Sequence, residues 1–286
     1  MSEIQKLRIR YHQEIRKNII RESQDKNNHF FFNMADGANA SSVQISHHLV
    51  NKLPYPSDSS CVAGQTSGDL FEKYTKDFIE NSFNIINFPR PGNWCYATTQ
   101  TSISNFDQYE HLGELDRIIE ENKALSTIIG SEYIIKPDIT VSRMPVSDDE
   151  INLNQMIVDE NVSRYSPLRA SNKIKLVPIL HASISCKWTI RSDRSQNTRT
   201  EALNLIRNRK GNLPHVVSVT AEPLPTRIAT LALGTGDLDC VYHFALNELL
   251  ESVQEVNNND QLDLLMTMIN GKRLRDISDL PLDLAI

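Results

Sequence analysis

The stretch His181–Arg209, HASISCKWTIRSDRSQNTRTEALNLIRNR, decides how the rest of the chain is read. Its first half alternates. Ser183, Ser185 and Lys187 fall on one face of a strand, and Ile184, Cys186 and Trp188 on the other. A lysine within an apolar strand points to a face that opens on a cleft. The second half is helical, with Ala202, Leu203, Leu205 and Ile206 spaced to cover a core. Between the halves sits Arg191-Ser192-Asp193-Arg194. An arginine fork matches the O6/N7 edge of guanine, and a carboxylate accepts from cytosine N4. Two arginines and an aspartate at the mouth of a helix could therefore read a short G·C-rich sequence in the major groove. Taken alone, these four residues favour a plainer reading, a solvated helix start with Asp193 near the positive end of the helix dipole.

Charge shifts that balance. The 286 residues carry 30 basic and 36 acidic side chains, a net of −6, which argues against a general nucleic-acid coat. Residues 185–210 hold Lys187, Arg191, Arg194, Arg199, Arg207, Arg209 and Lys210 against Asp193 and Glu201. These seven basic and two acidic residues give +5 and leave −11 for the remainder. A local basic stripe on an acidic protein fits a DNA-contacting face that avoids indiscriminate binding.

The length allows one large α/β domain or two smaller ones. Hydrophobic residues at 40% and charged residues at 23% are ordinary for a soluble globular protein. No apolar run approaches bilayer-spanning length, so no membrane partner is expected. Lys6, Arg8, Arg10, Arg16 and Lys17 interrupt any signal-peptide core, and a cytoplasmic protein is expected. Cys61, Cys95, Cys186 and Cys240 have no zinc-ligand spacing and read as reduced structural thiols. The histidines form no H-E-x-x-H pattern. A metal, if used, would be held by oxygen, which points to a hard cation such as Mg²⁺.

Along the chain, residues 3–21 read as a helix with basic residues on its outer face, and Val43–Leu53 as a second. Asn33–Asn39 is turn chemistry. Pro54–Ser60 is a loop. Gly64-Gln65-Thr66-Ser67-Gly68-Asp69 leads into a helix in whose first turns Glu72 lies, where the dipole favours an acid. Its glycines lack the lysine and the spacing of a P-loop, so a nucleotide cradle is rejected. Trp94–Gln100 reads as a strand, His111–Leu125 as a helix, and Tyr133–Val141 as a strand interrupted by Pro137-Asp138. A proline there marks an edge or a bulge, and a mid-strand aspartate is costly to bury unless paired or metal-bound. Ile151–Val162 reads as helix, His215–Ala221 and Arg227–Leu233 as strands with a rigid polar turn at Glu222–Thr226 between them. Val241–Val256 and Gln261–Ile269 read as helices, with Gly271 as a stop. The tail from Leu274 is expected along the surface. Helices and strands alternate, which gives one α/β domain, residues 1–286, with a mixed central β-sheet flanked by helices.

Pro137-Asp138, Ser185-Cys186-Lys187 and Glu201 together resemble the PD-(D/E)-x-K nucleases. They look most like the restriction endonucleases that recognise a CCGG core. In that group the acid two residues before the lysine is missing, here replaced by Ser185, and is supplied from the following helix, where Glu201 stands. The Arg191–Arg194 segment matches the group's recognition segment. The resemblance covers nearly the whole chain and is densest in HASISCKWTIRSDR, LNLIRNRKG, GQTSG, YHFAL, NGKRL and DISDLPLDLA.

That resemblance implies a restriction-endonuclease-like core and Mg²⁺-dependent cleavage of double-stranded DNA to 5′-phosphate and 3′-hydroxyl ends. It implies that Asp138 and the main-chain carbonyl of Cys186 bind the metal, and that Lys187 holds the attacking water. Glu201 and Glu72 complete the acidic set, and Ser185 contributes a hydrogen bond. Arg191, Asp193 and Arg194 would read the central CCGG, Asp36 and Arg227 the outer G·C pair, and Gln65 the minor groove. The implied target is GCCGGC, although the loop around Asp36 departs from the family at Ala38. A palindromic target calls for two-fold symmetry, hence a homodimer. The resemblance implies a homotetramer of two back-to-back dimers, and a cognate DNA methyltransferase acting on the same site in a restriction–modification system.

Each residue also has a plain alternative. Asp138 could cap a strand, Glu72 and Glu201 could be solvated acids, Arg227 could pair with a carboxylate, and Gln65 could be a turn residue. Two other functions stay open: a sequence-specific DNA-binding protein without cleavage, and a structure-selective repair nuclease on the same core.

Overall fold

The computed structural model describes residues 1–24, 29–54, 64–86, 93–98, 101–122, 135–171, 175–234 and 236–286. In chain order the elements are α1 (Glu3–Asn18), β1 (Glu22–Gln24), β2 (Phe30–Phe32), α2 (Ala40–Lys52), α3 (Gly64–Ile85) and β3 (Trp94–Ala97). Then come α4 (Glu110–Glu121), β4 (Ile139–Arg143), α5 (Asp148–Ile151), β5 (Ile179–Lys187), α6 (Ser192–Asn208) and β6 (His215–Thr220). The chain closes with α7 (Pro225–Ala232), β7 (Cys240–His243), α8 (Leu246–Glu255), α9 (Asn259–Asn270), β8 (Leu274–Asp276) and α10 (Leu280–Asp283). Six strands form a mixed sheet in the order β3-β4-β5-β6-β7-β8. The expected α/β class with a mixed central sheet is what the chain adopts. No helix among the described residues is long and apolar enough to cross a membrane.

The chain groups into two units. The one comprising Phe88–Ile184 and Glu201–His215 is built on antiparallel strands. Trp94 pairs with Arg143 and Ala97 with Thr140 between β3 and β4. Ile139 pairs with Ile184 and Arg143 with Ile179 between β4 and β5, and the register slips between Val141 and Ser142. The buried Gln108 amide clamps β5, donating to the Leu180 carbonyl at 2.8 Å and accepting from its N–H at 3.0 Å.

The other unit comprises Met1–Asn87, Ser185–Thr200 and Val216–Ile286. Here β6, β7 and β8 run parallel, with Val217 opposite Cys240 and Val241 opposite Leu274. Every residue of β7 is buried, as a parallel strand covered on both faces requires. The last residues of β5 adjoin β6. Ser218 Oγ donates to the Ser185 carbonyl at 3.4 Å and Thr220 Oγ1 to the Lys187 carbonyl at 2.8 Å. The pairing advances together along both segments, so they run in the same direction.

A charge network ties the ends of the chain together within this unit. The Arg8 side chain is almost wholly buried. It donates from Nε and Nη2 to Asp276 at 2.9 and 2.8 Å, and from Nη1 and Nη2 to Glu248 at 2.8 and 2.6 Å. Asp276 also accepts from the Leu246 N–H at 3.0 Å and from Ser278. The first helix, the last strand and α8 are thereby locked to one another. The expectation that α1 turns its basic residues outward fails at Arg8 and Arg16, which are both buried.

Several other expectations are corrected. Arg227–Leu233 is helical, not a strand: Pro225 opens α7, and Ile228, Leu231 and Ala232 form its buried stripe. Val241–Val256 divides into β7 and α8, because the run from Cys240 to His243 is buried between two parallel strands. The Pro137-Asp138 pair precedes β4 rather than interrupting it, and residues 133–134 lie outside the described ones. Of the helix expected over 151–162 only its start forms, in α5. The Asn152 side chain accepts the Ile157 and Val158 N–H groups at 2.8 and 2.9 Å and offers the backbone a turn instead. The tail does not lie on the surface. It supplies β8, and Ile277, Leu280 and Leu284 are buried. Gly271 caps α9 with negative φ, and the left-handed residue is Lys272. A Cβ at Gly271 would stand 2.9 Å from the Thr267 carbonyl oxygen, so close approach is what the glycine permits there. The loop expected at 54–60 and the break at 89–92 fall mostly or wholly outside the described residues.

Burial by itself would raise the Asp276 and Glu248 carboxyls, but the Arg8 guanidinium outweighs it and holds both below their ordinary values. A carboxylate lowered in the folded state adds stability above its unfolded pKa of about 4 and loses it on acidification. Arg8→Ala should therefore destabilise the fold by about 3–5 kcal/mol near neutral pH, since it strands the buried Asp276 carboxylate and the part-buried Glu248 carboxylate. The gap to the parent should narrow as pH falls below the carboxylate range. Urea unfolding at pH 7 and at about pH 3, below the ordinary carboxylate values, checks this, and a gap that is unchanged by pH would refute it.

Candidate functional site

The carboxyl-terminal ends of β5 and β6 carry the residues of interest in the unit that contains Met1–Asn87. Beyond Lys187 the chain runs through Trp188, which packs its ring on Phe71 at 5.3 Å, to the buried Ile190. Arg191 follows, exposed, and its carbonyl accepts the Ser195 N–H at 3.0 Å to start α6. The segment Arg191–Arg194 thus sits at the mouth of a helix, as its sequence indicates. The side chains of Ser192, Asp193 and Arg194, and that of Gln65, lie outside the described residues.

Beyond β6 the chain turns through Ala221 and Glu222 into α7. The Lys187 carbonyl accepts both the Thr220 hydroxyl, at 2.8 Å, and the Ala221 N–H, at 3.2 Å. Thr220 Oγ1 in turn accepts the Glu222 N–H at 3.1 Å. Glu222 has no exposed surface. One of its carboxylate oxygens accepts the Ile190 N–H at 2.9 Å and the other accepts the Leu224 N–H at 3.2 Å. Arg227 Nη1 stands 3.8 Å from the oxygen that serves Ile190. Burial pushes the carboxyl up to about 7, against the pull of those two N–H groups and Arg227.

Arg227 reaches onward to Asp36, donating from Nη2 to Oδ2. Both side chains keep 30% of their surface exposed. The Asp36 loop is shaped by its own bonds. Asp36 Oδ1 accepts the Ala38 N–H at 3.1 Å, its N–H donates to Ser42 Oγ at 3.0 Å, and Asn39 caps α2. Gly37 lets the Phe31 ring approach, since a Cβ there would lie 3.1 Å from it. The structure therefore brings Asp36 and Arg227 together, residues 191 apart in the chain. Through Glu222 it also links Arg227 to the backbone that starts the Arg191 segment.

Glu222 was missed by the sequence reading, which took Glu222–Thr226 as a polar turn. In the structure Glu222, Pro223, Leu224 and Pro225 are all buried. The available signal was position: an acid immediately after a continuous apolar strand, where parallel sheets present their ligand-binding ends. The basic stripe is also narrower than its sequence indicates. Arg199 Nε donates to Asp237 at 3.2 Å, so that charge is taken up within the fold.

The remaining candidates are placed as follows. Ser185 and Lys187 share the partly exposed face of β5, and Cys186 is buried on the other. The Ser185 hydroxyl is buried and has no hydrogen-bond partner among the described residues. Glu72 is half-buried in the third turn of α3, because that helix begins at Gly64; the expected turn there is helical, and the acid is too far along to feel the N-terminal dipole. In the unit comprising Phe88–Ile184 and Glu201–His215, Asp138 is half-buried at the entrance to β4, and Glu201 is exposed midway along α6. Among the described residues, no three or more His, Cys, Asp or Glu side chains are grouped to hold a metal. Cys95, Cys186 and Cys240 form no disulfide among the described residues.

Residues 11–286 match the family model described as NgoMIV restriction enzyme. The chain is 50% identical over 264 residues to the type II restriction enzyme NgoMIV of Neisseria gonorrhoeae, covering 91% of this chain and 92% of that one. A solved complex of the restriction endonuclease BsaWI with DNA is 12% identical with a TM-score of 0.31, over 73% of this chain and 65% of that one. The restriction endonuclease PspGI with its substrate DNA is 13% identical with a TM-score of 0.25, over 100% and 92%. At these scores neither structural likeness bears on the fold. The identity over almost the full length of both chains does settle the family: this chain belongs to the NgoMIV restriction enzyme family.

Proposed function

We propose that this type II restriction endonuclease cuts double-stranded DNA at a palindrome with a CCGG core, GCCGGC, leaving 5′-phosphate and 3′-hydroxyl ends. The observation that carries the outer pair is the contact of Arg227 with Asp36, both partly exposed. A guanidinium beside a carboxylate offers donors and acceptors side by side, the complement of guanine O6/N7 next to cytosine N4. Arg191, Asp193 and Arg194 are assigned to the central bases by their place at the start of α6 and by the family match, and Gln65 to the minor groove by the match alone.

For cleavage, Asp138 and the Cys186 carbonyl are assigned to Mg²⁺. The donor chemistry fits a hard cation, and so does the Ser185 hydroxyl beside Cys186 in the chain, which has no hydrogen-bond partner among the described residues. Mg²⁺ keeps several waters and takes one or two carboxylates plus substrate phosphate oxygens. When bound, the ion stabilises charge on the attacking and leaving oxygens. Lys187 orients the attacking water and stabilises negative charge at phosphorus. Its backbone is held by Thr220 and Ala221, which limits its freedom to stray from that position. Water attacks phosphorus in line, the P–O3′ bond breaks, and the 3′ oxygen leaves with a proton. Glu201 and Glu72 complete the acidic set, and Ser185 supplies a hydrogen bond.

A palindrome requires at least a homodimer. Leu153, Met156, Ile157, Val162 and Tyr165 are exposed between α5 and β5, apolar surface of the kind that supports assembly to a homotetramer. Self-protection calls for a cognate methyltransferase acting on the same sequence, in the cytoplasm where both meet the DNA.

Digestion of DNA carrying one or two GCCGGC sites should give cleavage confined to those sites, abolished by EDTA, and faster with two sites if the tetramer forms. Lys187→Ala should slow cutting by about a hundredfold or more while leaving site-specific binding intact. Specific binding without cutting would make the protein a DNA-binding module, and preference for branched DNA would make it a repair nuclease. Neither binding nor cutting at any CCGG-containing site would sink the assignment. Arg227→Ala should lose about 1–3 kcal/mol of discrimination at the outer base pair, read from cleavage of GCCGGC against ACCGGT.

A further inference from the structure

The Glu222 carboxylate does more than fill a buried turn. Three hydrogen bonds and one ion pair radiate from this residue. Its side chain takes the N–H of Ile190, the residue before Arg191, and the N–H of Leu224, which leads into α7. Arg227 lies against the same oxygen that Ile190 uses, and Arg227 is the partner of Asp36. The Glu222 N–H donates to Thr220 Oγ1, whose own proton goes to the Lys187 carbonyl. A carboxylate with no solvent contact, kept in place by two backbone donors and one guanidinium, has little freedom to reorient. Burial favours its neutral form, so a buried acid this close to neutrality is a costly choice for a turn.

We propose that Glu222 is a positioning residue for base recognition: it holds the Arg227–Asp36 pair and the start of the Arg191–Arg194 segment in fixed relation to one another and, through Thr220, to the backbone of Lys187. It touches no base itself. The inference rests on the assignment of Arg227 and Asp36 to the outer base pair. A single buried group shared by two reading elements makes their contacts interdependent, so an incorrect outer pair disturbs the central contacts as well. Glutamine at this position keeps the size but not the charge, and has only one oxygen for two N–H donors.

The test selects bound duplexes from a pool randomised over six base pairs, without Mg²⁺, and then measures the cleavage rate of the selected sequences at saturating DNA. The parent, Glu222→Gln, Glu222→Asp and Arg227→Lys are compared. Arg227→Lys should relax the outer pair most and the central positions less. Glu222→Gln should relax the outer pair by about ten- to hundredfold, relax the adjacent central positions with it, and slow cleavage at saturation. A purely structural role would reduce the active fraction and leave the sequence ranking unchanged, so an unchanged ranking in Glu222→Gln overturns the proposal. If Glu222→Gln does not fold, Glu222→Asp poses the same question with the charge kept and the reach shortened, and a parent-like ranking there overturns it too. An Arg227→Lys ranking equal to the parent's instead brings down the outer-pair assignment on which the proposal rests.

Discussion

Four N–H···O bonds from one buried guanidinium hold this unit's chain ends in register. Arg8 enters from the first helix and meets Asp276 in the last strand and Glu248 in α8. Such a buried trio is weak evidence for net stability, because taking the charges out of water costs much of what their attraction returns. Its value lies in geometry. Arg8 can satisfy two carboxylates only if α1, α8 and β8 take one arrangement. Hydrophobic packing alone tolerates small shifts that a bidentate fork does not. β8 then pairs with β7 and β7 with β6, so the constraint set by Arg8 extends to the strand that leads into Glu222.

The residues proposed to read DNA sit on that frame. Parallel strands present their carboxyl-terminal ends on one side of the sheet, and the turns that follow are where ligand-contacting residues collect. β5 runs out into Ile190 and Arg191, and β6 into Glu222 and Arg227. Their connection is polar and largely dry, which makes each hydrogen bond costly to break without a substitute. Asp36 arrives from a distant loop that is shaped by its own Asx turn, by the Asn39 cap and by Gly37 beneath Phe31. Each proposed reading element is thus prepared locally and then joined by a tertiary contact, an arrangement that lowers the ordering cost of binding any ligand there.

Much of this was legible from local pattern. The alternation from Ser183 to Trp188 marks β5 correctly, and the helical spacing of Ala202, Leu203, Leu205 and Ile206 marks α6. The short apolar runs were misread where a strand and a helix share the same composition. Arg227–Leu233 needed the proline at its start to be weighed as a helix opener, and Cys240–His243 needed knowledge of its parallel neighbours. The Pro137-Asp138 pair looked like an interruption only because the strand was begun too early. The tail looked like surface because its apolar residues are spaced among acids, and those acids turn out to be partners: Asp276 for Arg8, and Asp283 for the Tyr242 hydroxyl at 2.6 Å.

The sequence by itself determined the α/β class, the main strand and helix of the candidate site, and, through the resemblance carried by Asp138, Ser185–Lys187, Glu201 and Arg191–Arg194, the family. The elements follow from side-chain periodicity, a property of neighbours in the chain. Only the tertiary structure decided which charges meet. Nothing in the local pattern separates Arg227 from Arg199, or Glu222 from the many solvated acids. One arginine pairs with Asp36 beside a fully buried carboxylate, and the other is taken up by Asp237. Those pairings depend on burial and on contacts between segments far apart in sequence, where desolvation makes an unpaired charge too costly to keep and so selects the partner.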